Sequence, residues 1–295
     1  MDSFVESTLR EQIIRWVHER AEANGGFLGR DELLEYRVGD DRFPVIDYSR
    51  GIRNPRSFAS TLSIVSSVHG PYDDLESDDG LLHYDYRKGD AFGGDNAKLR
   101  HAMSTGVPLI LFRKEVANVY TPIAPVYVVG DDPEERTFLV ALDEAFRFMG
   151  ELKDLSVEQR AYAVRLAKQR LHQPAFRTRV LLAYETRCAI CRLAYGSLLD
   201  AAHIVPDGEE GGVPTTPNGL ALCKIHHAAY DRNMLGISPD YVVHVDRQVL
   251  AVTDGPMLRH GLQEMDGERL TLPRRTSDAP SRDLLAWRWE IFAGR

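Results

Sequence analysis

The three cysteines of the chain all lie between positions 188 and 223. Cys188 and Cys191 form a C-x2-C pair, and Cys223 and His226 form a C-x2-H pair. An odd, clustered set of cysteines is a poor disulfide framework, whereas two such pairs supply the four ligands that tetrahedral Zn²⁺ takes in a closed structural site. The spacing therefore predicts a structural zinc that holds together a segment with little core of its own.

A second group of polar residues lies between and after these pairs. His203 follows a strand-like run, and Asn218 ends a loop rich in Gly, Pro and Thr. His226 and His227 are adjacent on a predicted helix and so point about 100° apart, which lets one bind zinc while the other faces a second ion. His227 and Asp231 are spaced i,i+4 and share a helix face, so they form a two-ligand site for Mg²⁺ or another divalent ion, such as a transition metal.

The order of these residues resembles the HNH nucleases over about residues 165–295. The matching sequence is AAHIVP, then NGLALC, then HHAAYD, preceded by RLHQPAFRTRVLLAYETRCAIC. The resemblance implies a ββα-metal fold in which His203 is the general base, Asn218 orients the loop and the base, and His227 binds the catalytic ion. A histidine suits this role because its ordinary pKa lies near neutral pH, and a divalent ion stabilises charge on the scissile phosphate.

The sequence departs from this family at one position. Many HNH nucleases carry a His or Asp directly before the general base, and here that residue is Ala202. Asp200 lies three residues before His203 and on a strand would share a face with Ala202, so it either replaces the missing ligand or fixes the turn. A non-cleaving, degenerate finger is therefore an alternative to an active nuclease.

The elements that precede this region have a different pattern. The first twenty or so residues predict an amphipathic helix that ends at Gly25–Gly26. From about residue 43 to 143, short β-branched and aromatic runs alternate with turn residues, interrupted by a helix over 96–106. We expect an α+β chain, in which a mostly β barrel domain is followed by a helical connector and a ββα-metal finger. The predicted segments are 1–42, 43–150, 151–184 and 185–295.

The β segment is similar to the SRA (PUA-like) domain over roughly residues 43–143. The matching features are Tyr72-Asp73-Asp74, a glycine followed by an aromatic strand, the Asn-x-x-Leu helix at 96–99 and the G-x-P strand at 106–108. The SRA domain binds modified cytosine by flipping it out of the duplex. The resemblance implies that this segment reads a modified cytosine, 5-methylcytosine above all.

A flipped cytosine needs aromatic faces and an acidic acceptor for its N4 amino group. Tyr72 supplies one face, and either Tyr84 or Tyr86 supplies the other, since both lie on one side of a strand. Asp73 or Asp74 would accept from the amino group.

The net charge of −8 argues against a protein that coats nucleic acid through bulk positive charge. Basic residues do cluster locally between positions 160 and 192, which favours a patch that contacts the DNA backbone. The residues assigned to this contact are Arg165, Lys168, Arg170, Arg177 and Arg179.

Together these patterns predict a modification-dependent DNA endonuclease of the restriction type. Double-stranded DNA with modified cytosine is the expected substrate, and a homodimer is expected because one HNH centre cuts one strand. The chain shows neither an apolar signal core nor a membrane span, so a cytoplasmic location is expected. The alternatives are an HNH nuclease that ignores modification and a reader that binds methylated DNA without cutting it.

Overall fold

The computed structural model describes residues 2–67, 80–144 and 156–294. These residues form two compact units. The first comprises residues 1–21 and 27–175, and the second comprises residues 22–26 and 176–295. The sequence pattern placed the N-terminal helix in a segment of its own, 1–42. In the structure, residues 1–21 of this segment belong to the same unit as the β strands.

The first unit combines helices with one large sheet. Its helices are α1 Ser3–Ala23, α2 Arg30–Leu34, α3 Gly94–Thr105 and the first part of α4, Val157–Ala183. Its strands are β1 Leu28–Gly29, β2 Arg37–Val38, β3 Asp41–Arg42, β4 Ile52–Arg53, β5 Ser63–Ser67, β6 Leu82–Asp85, β7 Leu109–Val116, β8 Val119–Asp132 and β9 Thr137–Ala141.

Within the described residues, the main sheet has seven strands and curls into a half-barrel. Six of its strands are ordered β4-β5-β7-β8-β9-β6, and β1 pairs with the start of β8. The long strand β8 makes the bend possible, because it pairs with β7 along its first half and with β9 along its second half. A register shift between Val128 and Gly130 marks a bulge in this strand, and bulges increase local twist.

Strand β7 is buried on both faces. Leu109 and Leu111 belong to one apolar cluster, with Leu99 of α3, whereas Ile110 and Phe112 belong to another, with Ile13 of α1. Side chains alternate across a strand, so this two-sided burial explains why the first half of β7, residues 109–112, is apolar without interruption. Helix α3 ends as its sequence predicts, with Gly106 in the left-handed conformation at a φ of 61°.

A buried ion pair fastens α1 to the chain that enters the sheet. Arg10, which is 1% exposed, lies 2.9 Å from the carboxylate of Glu6 and donates to the carbonyl oxygens of Thr61 and Pro108. Glu6 in turn accepts from the backbone N–H of Ala59. The helix is therefore joined to the loops before β5 and β7 by charge-assisted hydrogen bonds as well as by apolar packing.

The second unit contains the rest of α4 and several short elements. Its helices are α5 Lys224–Asp231, α6 Arg247–Leu250, α7 Pro256–Gly261 and α8 Arg282–Ala293, with single 3₁₀ turns at Gly196–Leu198, Thr216–Asn218, Gln263–Met265 and Thr276–Asp278. Its strands form two antiparallel hairpins, β10 Leu199–His203 with β11 Gly219–Cys223, and β12 Leu235–Ile237 with β13 Val243–Val245. Over the described ranges, no helix has both the length and the apolar composition of a membrane span.

The Arg10–Glu6 pair gives a test of how α1 is held. Replacing Arg10 with Leu leaves Glu6 buried without its partner, so we expect the free energy of unfolding to fall by about 3–5 kcal/mol. Replacing Arg20, which is paired with Glu32 at the surface, with Leu is the matched control and should cost about 1 kcal/mol or less. Urea titration measures the free energy of unfolding of both variants, and hydrogen exchange of the β7 amides gives a second measurement. Equal losses of stability in the two variants would contradict this account.

Candidate metal centre and active site

The hairpin β10–β11 and the helix α5 carry most of the candidate site residues of the second unit, and Cys188 and Cys191 precede them in the chain. The register pairs Leu199 with Cys223 and His203 with Gly219, so Cys223 and His203 lie at opposite ends of the hairpin. Helix α5 begins at Lys224, directly after Cys223. The arrangement is strand, strand and helix, as the sequence predicts for a ββα finger.

Cys188, Cys191, Cys223 and His226 meet at one point. Their ligand atoms all lie within 4.8 Å of one another. The His226 Nδ1 lies 3.5 Å from the Cys188 Sγ and 3.2 Å from the Cys223 Sγ, and the Cys191 and Cys223 sulfurs are 4.0 Å apart. Tetrahedral zinc with ordinary bond lengths requires S···S edges of about 3.8 Å and S···N edges of about 3.6 Å. The group therefore has the donors and the size to bind a metal ion such as zinc.

The ring of His226 is held in the orientation that metal binding needs. Its Nε2 lies 2.8 Å from the carbonyl oxygen of Gly261 and donates to it, so the neutral ring directs the lone pair of Nδ1 at the cysteines. Cys188, Cys223 and His226 are buried, and Cys191 is the exposed member. No coordination position is left for a substrate, so the site is structural in character.

His203 ends β10 and stacks on an aromatic ring. The imidazole lies 4.0 Å, centroid to centroid, from the ring of Phe176 at an interplanar angle of 14°. Burial lowers the pKa of His203, while the charges of Asp207 and Asp231 raise it and that of His227 lowers it. His203 thus shares an electrostatic environment with His227 and Asp231, and its neutral, proton-accepting form is favoured.

Asn218 closes the loop between the two strands. Its side-chain oxygen accepts from the backbone N–H of Val205 at 2.9 Å, and its amide nitrogen donates to the carbonyl oxygens of Val205 and Val213 at 3.0 and 3.1 Å. The side chain is 1% exposed. Asn218 therefore holds the backbone two residues after His203.

His227 lies between two carboxylates. Its Nε2 is 3.4 Å from the Oδ2 of Asp231, and its Nδ1 is 3.7 Å from the Oδ2 of Asp200. Hydrogen bonding to Asp200 raises the pKa of His227, burial lowers it, and the charges of both carboxylates raise it. A cation can bind only one ring nitrogen, and the other then donates to the remaining carboxylate.

Asp200, rather than the residue directly before His203, brings a carboxylate to His227. Ala202 is fully buried, whereas Asp200 is only partly buried and turns toward α5. The hydrogen bond from His227 lowers the pKa of Asp200 and the charge of Arg177 lowers it further, against the effect of burial. Asp200 is therefore the residue available to compensate for the missing ligand at position 202.

The arginines assigned to DNA contacts make other contacts in this structure. Arg177 donates to the carbonyl oxygen of Leu199 and pairs with Asp200 at 3.4 Å, so it braces the strand that carries the site. Arg170 donates to Leu142 and Asp143, and Arg179 donates to Pro214. Their ordered polar partners compete with phosphate. Arg165 is exposed beside the ring of Tyr162, and the side chain of Lys168 lies outside the described part.

The expected base pocket is only partly described. Tyr72, Asp73 and Asp74 lie outside the described residues. Tyr84 and Tyr86 belong to the apolar core of the first unit, where they are 6% and 4% exposed. The hydroxyl of Tyr84 donates to the carbonyl oxygen of Gly51, and that of Tyr86 donates to Asp131. Tyr84 is packed in the core, and the ring of Tyr86 lies against Phe138 and beneath the guanidinium groups of Arg100 and Arg136, so neither ring presents a free face to a base.

Two positions that hold the site have no signal in the sequence. Phe176 supports His203 from α4, more than twenty positions earlier in the chain. Gly219 lies opposite His203, and a Cβ on it would meet the Val180 side chain at 2.3 Å and the Phe176 ring at 3.0 Å. Only glycine allows β11 to approach α4 this closely.

Comparison with known proteins identifies this region. Residues 188–238 match a family model described as HNH endonuclease. The predicted enzyme class, an HNH-type DNA endonuclease, is confirmed by this match. No curated protein sequence matches the chain significantly.

Two solved structures resemble the chain weakly. One is described as "Modification dependent TagI restriction endonuclease", with 17% identity and a TM-score of 0.30, covering 83% of this chain and 86% of that one. The other is described as "Structure of the Type IV phosphorothioation-dependent restriction endonuclease ScoMcrA", with 18% identity and a TM-score of 0.23, covering 62% of this chain and 48% of that one.

Metal content tests the Cys₃His group. We expect one tightly bound zinc ion per chain by plasma mass spectrometry, and its loss in Cys188→Ser. Because the ion joins the segment of Cys188 and Cys191 to the hairpin β10–β11, this variant should lose hydrogen-exchange protection in β10, β11 and α5, while β7 keeps its protection. Arg187→Ser, at the exposed neighbouring position, is the control and should keep both the metal and the protection. Full protection without any bound metal would refute the assignment.

The environment of His203 predicts a pH profile for DNA cleavage. A general base works above its own pKa, and burial lowers that of His203, so the acidic limb of kcat/KM should lie below the ordinary histidine value of about 6.5. Asp207 raises this pKa, so Asp207→Asn should move the limb to still lower pH. Glu210→Gln, on the same loop, should leave it in place. A limb above neutral pH, or no response to Asp207→Asn, would exclude His203 as the base.

Proposed function

We propose that the protein is a modification-dependent DNA endonuclease, which reads a modified cytosine, 5-methylcytosine above all, and hydrolyses a nearby phosphodiester with its HNH site. The observation that carries the catalytic part is the position of His227 between Asp200 and Asp231, in the same electrostatic environment as His203. A general base and a cation site in one place are what hydrolysis of a phosphodiester needs.

The roles of the residues follow from their contacts. His203, held flat against Phe176 and kept neutral by burial, accepts the proton of the attacking water. His227 and Asp231 would hold the divalent ion, and Asp200, braced by Arg177, would accept from the other nitrogen of His227 and fix the ring. When bound, that ion neutralises charge on the phosphate and on the leaving 3′-oxygen. Asn218 fixes the backbone beyond His203.

Recognition of modified cytosine rests on the chemistry of the first unit. Tyr72, Asp73 and Asp74 combine an aromatic face with acceptors for a cytosine amino group, and they lie on the stretch that links β5 to β6. Tyr84 and Tyr86 are committed to the core, so we assign stacking to Tyr72 and assign the two strand residues to holding the neighbouring framework.

The oligomeric state follows from the stoichiometry of cutting. One HNH centre cuts one strand, so we propose that double-strand cleavage requires two protomers, with a homodimer as the simplest arrangement. Basic side chains that remain exposed, Arg165 among them, would contact the DNA backbone.

The test is digestion of two copies of one DNA duplex, with and without 5-methylcytosine, in Mg²⁺, Mn²⁺, Co²⁺ or Ni²⁺. We expect the modified copy to be cut preferentially, and we expect His203→Ala to reduce the rate by about 10²–10⁴-fold because the general base is lost. His260→Ala, an exposed histidine paired only with Glu264, is the matched control and should cut like the wild type.

Each failure of this test has its own meaning. Equal cutting of both duplexes would show an HNH nuclease that does not depend on modification. Tight binding of the modified duplex without cutting in any metal would show a reader with an inactive finger. Undiminished cutting by His203→Ala would show that His203 is not the general base. It would leave the proposed preference for the modified duplex untouched.

A further inference from the structure

A cleft of about 1010 Å³ opens in the nuclease unit where the catalytic helix ends. Helix α5 stops at Asp231, and the next residue, Arg232, is the first to line the cleft. The walls come from the hairpin β12–β13, from α6 and from α8, and the residues on which the argument depends are Arg232, Asn233, His244, Arg247, Trp289 and Phe292. None of these residues takes part in the catalytic chemistry described above.

Asn233 lines this cleft with an unused acceptor. The residue is 7% exposed, and its Oδ1 is buried without a hydrogen-bond partner in the described part of the chain. Asn233 has a φ of 51°, a left-handed conformation that favours Asn or Gly after a helix end. This conformation does not explain why its side-chain oxygen is left unpaired. An unpaired buried acceptor costs free energy that a donor from a bound ligand recovers.

One wall of the cleft is aromatic. The ring of Trp289 lies 4.8 Å from that of His244 and 5.3 Å from that of Phe292. Phe292 is packed so closely on β12 that a Cβ at Gly236 would meet its ring at 2.5 Å. Trp289 is thereby held in place by its neighbours while remaining partly exposed, which is the condition for a stacking platform.

Among the described residues that line the cleft, Arg247 offers a guanidinium without a partner. Its side chain is exposed and has no hydrogen bond or ion pair with any other described residue. The two carboxylates at the cleft already accept backbone hydrogen bonds, Asp246 from Gln248 at 2.8 Å and Asp266 from Val245 at 2.9 Å. The guanidinium of Arg247 is therefore available to an anion from solution, and phosphate is the anion that it suits best.

We propose that this cleft binds one nucleotide of the DNA strand that the HNH centre cuts, with its base unstacked from its neighbours. The base lies on Trp289, an exocyclic amino group donates to the Asn233 Oδ1, and the phosphate pairs with Arg247. The inference rests on DNA being the substrate, and it names a second contact of the nuclease unit beyond the scissile phosphate. An aromatic platform, an amino-group acceptor and a free guanidinium together match a nucleotide.

The test measures binding of a fluorescein-labelled single strand of about ten nucleotides to the full-length protein by anisotropy, at low salt and without the catalytic ion. We expect Trp289→Leu and Arg247→Gln each to weaken binding about tenfold, since stacking and one phosphate contact are removed. Trp287→Leu and Arg275→Gln are the matched controls, because both residues are exposed and lie outside the cleft, and they should bind like the wild type.

Asn233 has a readout of its own. Cytosine and adenine carry an exocyclic amino group and thymine does not, so the wild type should bind oligo-dC and oligo-dA more tightly than oligo-dT. Asn233→Gly keeps the left-handed backbone and removes the acceptor, so it should abolish this preference. The metal content of the Cys₃His group serves as the check on folding, and a variant without metal is treated as misfolded. In that case the surface substitution Arg247→Gln decides whether the proposal stands.

Wild-type affinity in Trp289→Leu and Arg247→Gln would overturn the proposal, as would a base preference that survives in Asn233→Gly. The assay uses neither a modified base nor strand cutting. Its outcome is therefore distinguishable from a failure of modification-dependent cleavage, which would leave these binding differences unchanged.

Discussion

The Cys₃His group is the constraint on which the nuclease unit depends. It joins the segment of Cys188 and Cys191 to the junction between β11 and α5, next to the backbone hydrogen bond from Ala189 to Ala221. Because Cys223 ends the strand and His226 lies on the first turn of the helix, the group fixes the angle at which α5 leaves the hairpin. His227 is the next residue on that helix, so its position beside Asp200 follows from the same constraint.

The two sides of the active site are held by different means. The α5 side depends on the ligands and on the hydrogen bond from His226 to Gly261. The β10 side depends on α4, whose Phe176 lies against His203 and whose Arg177 pairs with Asp200. Consecutive residues of one helix thus position His203 and Asp200, which explains why an arginine that resembles a DNA contact in the sequence is needed within the fold.

Local patterns in the sequence identified much of this structure. The cysteine spacing predicted the four-ligand cluster, the i,i+4 spacing predicted the contact of His227 with Asp231, and alternating apolar runs predicted the strands. Long-range packing could not be predicted in the same way. Nothing in the sequence indicates that Phe176 stacks on His203, that Tyr84 and Tyr86 are buried in a core, or that α1 covers the second face of β7. Each of these depends on which faces meet after the chain has folded.

The close approach of Gly219 to α4 has a consequence for how this enzyme could be altered. The smallest possible side chain there would press on Val180 and on the aromatic ring beneath His203. A single methyl group at position 219 would therefore push β11 away from α4, at the end of the hairpin opposite Cys223. Gly219→Ala is therefore a candidate temperature-sensitive variant, in which DNA cutting is lost on warming before the ββα finger unfolds.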